Sequence, residues 1–371
     1  MRLLYFTRDY TPHDHRFLSA LAQTEHKVYY LRLERSGYQL EDRPLPAEVE
    51  LVSWAGSQTR ARFADGPRLL ANLKRVIRVL EPDLIQAGPL QRSAFLVALT
   101  GFHPLVSMSW GYDLLIDAER NPLWRWATRF TLTRSAALVG DSEVIRQKAV
   151  HYGIVPERVV TFPWGTDIHY FTPGKNRKMR SRLGWDEETF VLLSTRSWAP
   201  IYGVTDLAQA FVQAARSSPQ LRLLMLGNGP LSKEIKSTFH QAGMLDRVHF
   251  PGHIKTTELP EYYRAADVYL STSHSDGTSI SLLEAMACGR PVLVTDIPGN
   301  REWVTHGEQG WLFPDGDIEK LKDAIIFALN HREQLPVMGK AARRLAEERA
   351  DWAQNFPKLF EAYNVAIHHQ S

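Results

Sequence analysis

The residues best suited to chemistry lie in one stretch, Ser273–His274–Ser275–Asp276–Gly277–Thr278–Ser279–Ile280–Ser281–Leu282–Leu283–Glu284. An apolar run, Val268–Thr272, leads into a turn of small residues and then into a helical pattern that contains Glu284. A strand, turn and helix in that order expose the first unpaired N–H groups of the helix, here around Thr278 and Ser279. Such a terminus favours an anion such as phosphate. Asp276 stands at the turn and Glu284 about two helical turns further on. Carboxylates flanking an anion site suit a ligand with sugar hydroxyls on either side of a phosphate. The competing reading is that Asp276 caps the helix and Glu284 is solvated.

Other clusters are weaker. His13, Asp14, His15 and Arg16 follow the first apolar run, but adjacent histidines point apart and suit a metal poorly, so no metal site is expected. Asp315–Gly316–Asp317 precedes a helical pattern, which makes Asp317 an N-cap. Gly227–Asn228–Gly229 lacks the third glycine of a dinucleotide fingerprint. The single cysteine, Cys288, sits among small apolar residues and reads as a buried helix-end thiol.

These residues need a scaffold. The chain has 371 residues, enough for two domains at ~150 residues each. At 44% hydrophobic and 23% charged it is composed like a globular protein. Strand and helix patterns alternate from Leu3 to Trp164. A charged stretch marked by Gly and Pro, from Thr172 to Glu188, reads as a linker. The alternation then restarts at Phe190 and runs to Leu329. The fold class is therefore α/β, with two facing Rossmann-like domains and a ligand site in the cleft between them. The last helical pattern, Phe356–Ile367, has no strand after it and is expected to cross back to the first domain. The expected boundaries are 1–171 plus about 354–371 for the first domain and 172–353 for the second.

The net charge of +3 gives no case for nucleic acid. Leu3–Phe6 is far shorter than a signal-peptide core, and a cytoplasmic protein is expected. Residues 60–80 carry Arg60, Arg62, Arg68, Lys74, Arg75 and Arg78 against Asp65 alone, with apolar residues at helical spacing. A helix of this kind can rest on an anionic membrane surface; the alternative is a helix packed on a sheet with a solvated basic back.

Taken together, these motifs resemble the retaining glycosyltransferases of the GT-B fold, in the large family four group. The hallmark there is two acids separated by seven positions and followed by Glu-Ala-Met-Ala-x-Gly-x-Pro; Asp276, Glu284 and the run to Pro291 match it. Gly140–Asp141–Ser142–Glu143, Gly165–Thr166–Asp167, Phe171–Thr172–Pro173 and Gly307 through Pro314 are similar to further family signatures in order. The resemblance implies a nucleotide-sugar donor, a carbohydrate or lipid-linked acceptor in polysaccharide or glycolipid assembly, and no cofactor or metal. It implies that Glu284 accepts hydrogen bonds from ribose hydroxyls and that the amides of Gly277, Thr278 and Ser279 hold the distal phosphate. Asp276 is implied to touch the donor sugar, and Arg196 to stabilise the leaving diphosphate. UDP is favoured on family frequency.

Three departures stand out. Tyr202 precedes Gly203 where the family has lysine, and the first hallmark acid is Asp276 rather than glutamate. Trp110, in Ser109–Trp110–Gly111–Tyr112–Asp113, replaces the usual histidine. Asp113 is expected near the reacting centre, and His13, Asp14, Arg16 and Trp110 near the acceptor. The departures leave open a catalytically weak pseudo-transferase acting as a binding partner; a Rossmann-type oxidoreductase is the other alternative.

Overall fold

The computed structural model describes residues 1–35 and 41–368. The chain divides into two compact units, Met1–Phe162 with Phe356–Ser371, and Pro163–Asn355.

The first unit is built on seven parallel strands: β1 (Arg2–Thr7), β2 (Lys27–Arg32), β3 (Val49–Leu51), β4 (Leu84–Ala87), β5 (Leu105–Met108), β6 (Ala137–Gly140) and β7 (Val159–Thr161). Their spatial order is β3-β2-β1-β4-β5-β6-β7. Leu4 of β1 lies between Tyr29 and Ile85. Helices cover the faces of the sheet, so its central strands are apolar runs rather than alternating ones. Helix Gly66–Leu80 shows how the covering works: Leu69, Leu73 and Val76 recur at helical spacing and are buried. Each large aliphatic side chain so buried contributes about 1.5–3 kcal/mol.

The second unit carries six parallel strands, β8 (Phe190–Ser194), β9 (Leu221–Leu226), β10 (Val248–Gly252), β11 (Val268–Ser271), β12 (Val292–Thr295) and β13 (Gly310–Phe313). Their order is β10-β9-β8-β11-β12-β13. The chain leaves β8 towards one edge and returns to lay β11 on its other side, so β8 and β11 flank the point where strand order reverses. Both sheets are Rossmann-like, and the fold class is α/β.

Several boundaries differ from expectation. The first unit ends at Phe162, not at residue 171. Thr166 forms a bridge with Asp351, and Ile168 and Phe171 enter the core of the second unit. The expected linker contains helix Arg177–Arg182, capped by Asn176. Helix Leu335–Arg349 was not expected at all; it buries Met338, Gly339, Ala342 and Ala346, a stripe of mostly small residues. The C-terminal helix Lys358–His368 packs on β5, β6 and β7 of the first unit, burying Leu359, Ala362, Tyr363 and Ala366. Among the described residues no helix is long and apolar enough to cross a membrane.

Candidate functional site

In an open parallel sheet, ligands bind beyond the carboxyl ends of the strands where strand order reverses. In the second unit that position is filled by Arg196, two residues beyond β8, and by the turn that follows β11. The Arg196 guanidinium donates from Nη2 to Asp276 Oδ2 at 2.7 Å and from Nη1 to Ser279 Oγ at 2.7 Å. Its Cζ lies 4.1 Å from the centre of the Tyr202 ring, within cation–π range. The Arg196 side chain is 11% exposed and that of Asp276 21%. The buried Nε of Arg196 has no hydrogen-bond partner. Burial works against the charge, but Asp276 and the rings of Tyr202, Tyr269 and Tyr263 hold the pKa above the ordinary guanidinium value.

Asp276 is therefore an ion-pair partner and not the helix cap of the competing reading. Ser279 takes the N-cap position of helix Ile280–Ala287, yet its hydroxyl makes no capping bond and turns to Arg196 and Ser281 instead. Thr278 and Ser279 are buried. Glu284 is also buried, 7% exposed rather than solvated. Tyr263, from helix Leu259–Ala265, donates its hydroxyl to Glu284 Oε2 at 2.8 Å. Burial, and then the Glu284 charge, push the Tyr263 pKa far up, so it remains a donor.

Two glycines let these segments approach. Gly203, at φ 56°, has a position where a Cβ would stand 2.2 Å from the Thr272 carbonyl oxygen. At Gly299 a Cβ would lie 2.2 Å from the Gly277 oxygen and 2.5 Å from that of Asp276. Gly299, Tyr263 and Ser281 escaped the sequence reading. A tyrosine inside a helix and a glycine after a proline carry no signal of their own. The hydroxyl of Ser281 lies 3.2 Å from Arg196 Nη1 and 2.8 Å from the Tyr269 hydroxyl.

The other candidates belong to the first unit, and two of them have structural work there. Asp14 is 1% exposed. It sits in a capping box with Thr11, accepting from the Thr11 amide at 2.8 Å, and it accepts from the Tyr5 hydroxyl at 3.2 Å. Burial pushes its carboxyl up to about 7. Asp113 is fully buried. It accepts from Ser109 Oγ and the amides of Trp110 and Leu114 through one oxygen, and from the Leu90 amide through the other. Burial raises its carboxyl to about 6 despite these four bonds. Both carboxylates thus hold loops in place. His13 and Trp110 do meet, with ring centres 5.5 Å apart, and both are partly exposed, as is Arg16.

The remaining clusters have plain explanations. Asp317 caps helix Ile318–Asn330 by accepting from the Lys320 amide. Cys288 is buried, with its thiol pushed up to about 12. Among the described residues no group of three or more His, Cys, Asp or Glu side chains gathers as a metal site.

A family described as glycosyltransferase family 4 matches residues 13–170, and one described as glycosyl transferases group 1 matches residues 175–345. The chain is 31% identical over 238 residues to a D-inositol 3-phosphate glycosyltransferase of Geodermatophilus obscurus, covering 62% of this chain and 52% of that one. It thus spans about half the length of that relative. It is 28% identical over 318 residues, 79% of each chain, to a GDP-mannose-dependent alpha-(1-6)-phosphatidylinositol monomannoside mannosyltransferase of Mycobacterium tuberculosis. Among solved structures it shares the fold of Anabaena HepE in complex with UDP-glucose (TM-score 0.81, 20% identity, 98% of this chain and 99% of that one). It likewise shares the fold of sucrose-phosphate synthase from Thermosynechococcus elongatus (TM-score 0.81, 17% identity, 100% of each chain). The matches run from the first unit through the second and include the hallmark turn and helix, and the chain belongs to the group 1 glycosyl transferases.

Proposed function

We propose that the protein transfers a sugar from a nucleoside diphosphate sugar to an acceptor hydroxyl with retention of anomeric configuration, and that UDP is the nucleotide. The observation that carries the reading is the cluster of Arg196, Asp276 and Ser279 at an uncapped helix start, with the buried Glu284 on the same helix. A diphosphate at the helix start meets the turn amides and the arginine together. Arg196 is already held by Asp276, so the entering phosphate competes with that carboxylate, and the orphaned Nε supplies a further donor. Glu284, steadied by Tyr263, has an oxygen suited to ribose hydroxyls.

As the bond between the anomeric carbon and the phosphate oxygen breaks, its electron pair passes to that oxygen. Arg196 stabilises the charge as it develops. The same oxygen takes the proton of the acceptor hydroxyl, which attacks from the face the leaving group vacates. No protein nucleophile is required, and with Arg196 in this role the reaction is expected to run without a metal. The UDP choice is supported by UDP and UDP-glucose complexes of structures with this fold; the GDP-mannose-dependent relatives make GDP the alternative.

Thermal-shift measurements with UDP, GDP, ADP and dTDP in parallel test the donor, since a ligand at 100 times its Kd adds about 2.7 kcal/mol. NMR of the product linkage tests retention: an inverted linkage defeats the mechanism, and no shift with any nucleotide defeats the whole reading. A pure binding protein would release no nucleoside diphosphate in a donor-hydrolysis assay. A lipid-linked acceptor and work at the inner face of a membrane belong to the same proposal. They rest on the exposed basic side of helix Gly66–Leu80, with Arg68, Lys74, Arg75 and Arg78, and on Trp126, which is 50% exposed.

A further inference from the structure

A cavity of about 520 Å³ opens in the second unit at the amino-terminal edge of its sheet. Asp267 and Pro291, which immediately precede β11 and β12, line it. The donor site lies at the opposite ends of those strands, so the two are separated by at least a strand length, about 13 Å. The walls come from helix Arg177–Arg182, the end of helix Leu259–Ala265 and one side of helix Leu335–Arg349 from Leu335 to Glu347.

The cavity has an unusual charge balance. Nine lysines and arginines line it against three carboxylates, Glu187, Asp267 and Glu347. Each carboxylate is already engaged by one arginine: Glu187 by Arg177 at 3.0 Å, Asp267 by Arg180 at 2.7 Å and Glu347 by Arg343 at 2.6 Å. Arg264 and Arg344 pair with Glu261 and Glu348, outside the lining, which leaves Lys175, Arg290, Arg332 and Lys340 with no carboxylate partner among the described residues. Arg290 donates only to carbonyl oxygens, those of Cys288, Ala266 and Gly174. Arg332 does the same with Glu188 and Thr189. Carbonyl bonds satisfy the donors but leave the net charge in place. Burial, together with the like charges of Arg180 and Arg264, lowers the Arg290 pKa, a repulsion that an anion would relieve.

We propose that this cavity is a second ligand site, separate from the donor site, that binds a compact multiply charged phosphate compound. Its volume is within the range of small-molecule sites. Planar guanidinium groups pair with phosphate oxygens two at a time, whereas the lysines at the rim act as mobile point charges. The positive end of helix Leu335–Arg349 adds to the field. The phosphate is carried either by a soluble compound or by a lipid headgroup.

Inorganic tripolyphosphate is the probe for the soluble source, and vesicles of phosphatidylglycerol are the probe for the lipid source. Tripolyphosphate should raise the Tm of the wild type and of Arg196→Ala alike, since Arg196 belongs to the other site. The double variant Lys175→Glu, Lys340→Glu changes two exposed side chains without an ion pair and should fold normally. It should bind the probe on the order of tenfold more weakly or worse, while keeping the wild-type shift with UDP. Sedimentation with vesicles that the double variant loses would assign the phosphate to a lipid headgroup. Equal tripolyphosphate shifts in wild type and double variant, or a shift abolished by Arg196→Ala, would overturn the proposal. No response to either probe would overturn it as well. A failure of the UDP shift alone would count against the donor reading and leave this one standing.

Discussion

Glu284→Ala should weaken donor binding by 1.5–3 kcal/mol, roughly ten- to a hundredfold, because ribose hydroxyls lose a charged acceptor. Tyr263→Phe should produce a smaller loss in the same direction, since it frees the carboxylate without removing it. Isothermal titration with the nucleotide reads both. Arg196→Ala should lower kcat more than it raises KM if its bonds strengthen as charge builds on the leaving oxygen; equal effects would argue for ground-state binding alone. Asp14 gives a pH signature. Burial raises its carboxyl to about 7, above the ordinary 3.8, so the folded chain holds the proton more tightly than the unfolded chain. The stability this supplies is complete below about pH 4 and is lost as pH rises through about 7. Wild type should therefore lose Tm relative to Asp14→Asn between about pH 4 and pH 7, and a constant difference across that window would show that the folded chain does not hold the proton more tightly. At this scale the sequence was legible where backbone spacing sets the role: Asp317 caps the helix that follows it, and the segments holding Arg196 and Asp276 come together beyond the strand ends. It did not show that Asp14 and Asp113 are buried, because a carboxylate that braces a loop and one that meets a ligand follow a strand in the same way. The Thr11–Asp14 spacing did hold the signal of a capping box.

Among the elements, the turn after β11 depends on the helix start at Pro298–Arg301 that supports it. Gly299→Ala would push a methyl group into the carbonyls of Asp276 and Gly277. Overpacking of this kind costs about 1–3 kcal/mol, and the shifted turn should lose donor affinity out of proportion to the drop in Tm. Tyr202→Lys tests the neighbouring segment. It replaces the ring stacked on Arg196 by a second cation in the same place, so the Tm should fall with no gain in rate; a faster enzyme would mean that the lysine resumes a role in the chemistry. Strands such as Phe190–Ser194 and Leu221–Leu226 were readable because parallel sheets covered on both faces demand unbroken apolar runs. Helix Leu335–Arg349 was not, since alanine and glycine make its buried stripe and leave little hydrophobic periodicity. Helix Arg177–Arg182 hid for a different reason: Arg177 and Arg180 serve carboxylates and carbonyls, and Met179, only partly buried, is its one apolar contact with the core.

For the whole molecule, a Lewis-acid metal would contribute several kcal/mol to catalysis, so dialysis against EDTA should leave the rate unchanged if Arg196 alone handles the leaving group. Sedimentation with anionic and neutral vesicles at low and high salt checks the basic side of helix Gly66–Leu80: binding should require lipid charge and fade with salt. The two-unit plan was visible in the restarted alternation of strands and helices. The exact division was not, because Pro163–Phe171 looks like any loop until Thr166 meets Asp351. The C-terminal helix has a consequence for synthesis. Residues 163–355 form a continuous unit, whereas the first unit needs Phe356 onward to cover β5–β7, and the Tyr363 hydroxyl to reach Gln86. On the ribosome, then, the part of the protein made first is the part finished last. Its sheet must wait, with the β5–β7 part uncovered where that helix packs, for some 190 residues of the other unit to pass through the exit tunnel, and at ~5–20 residues per second that interval is on the order of ten seconds or more.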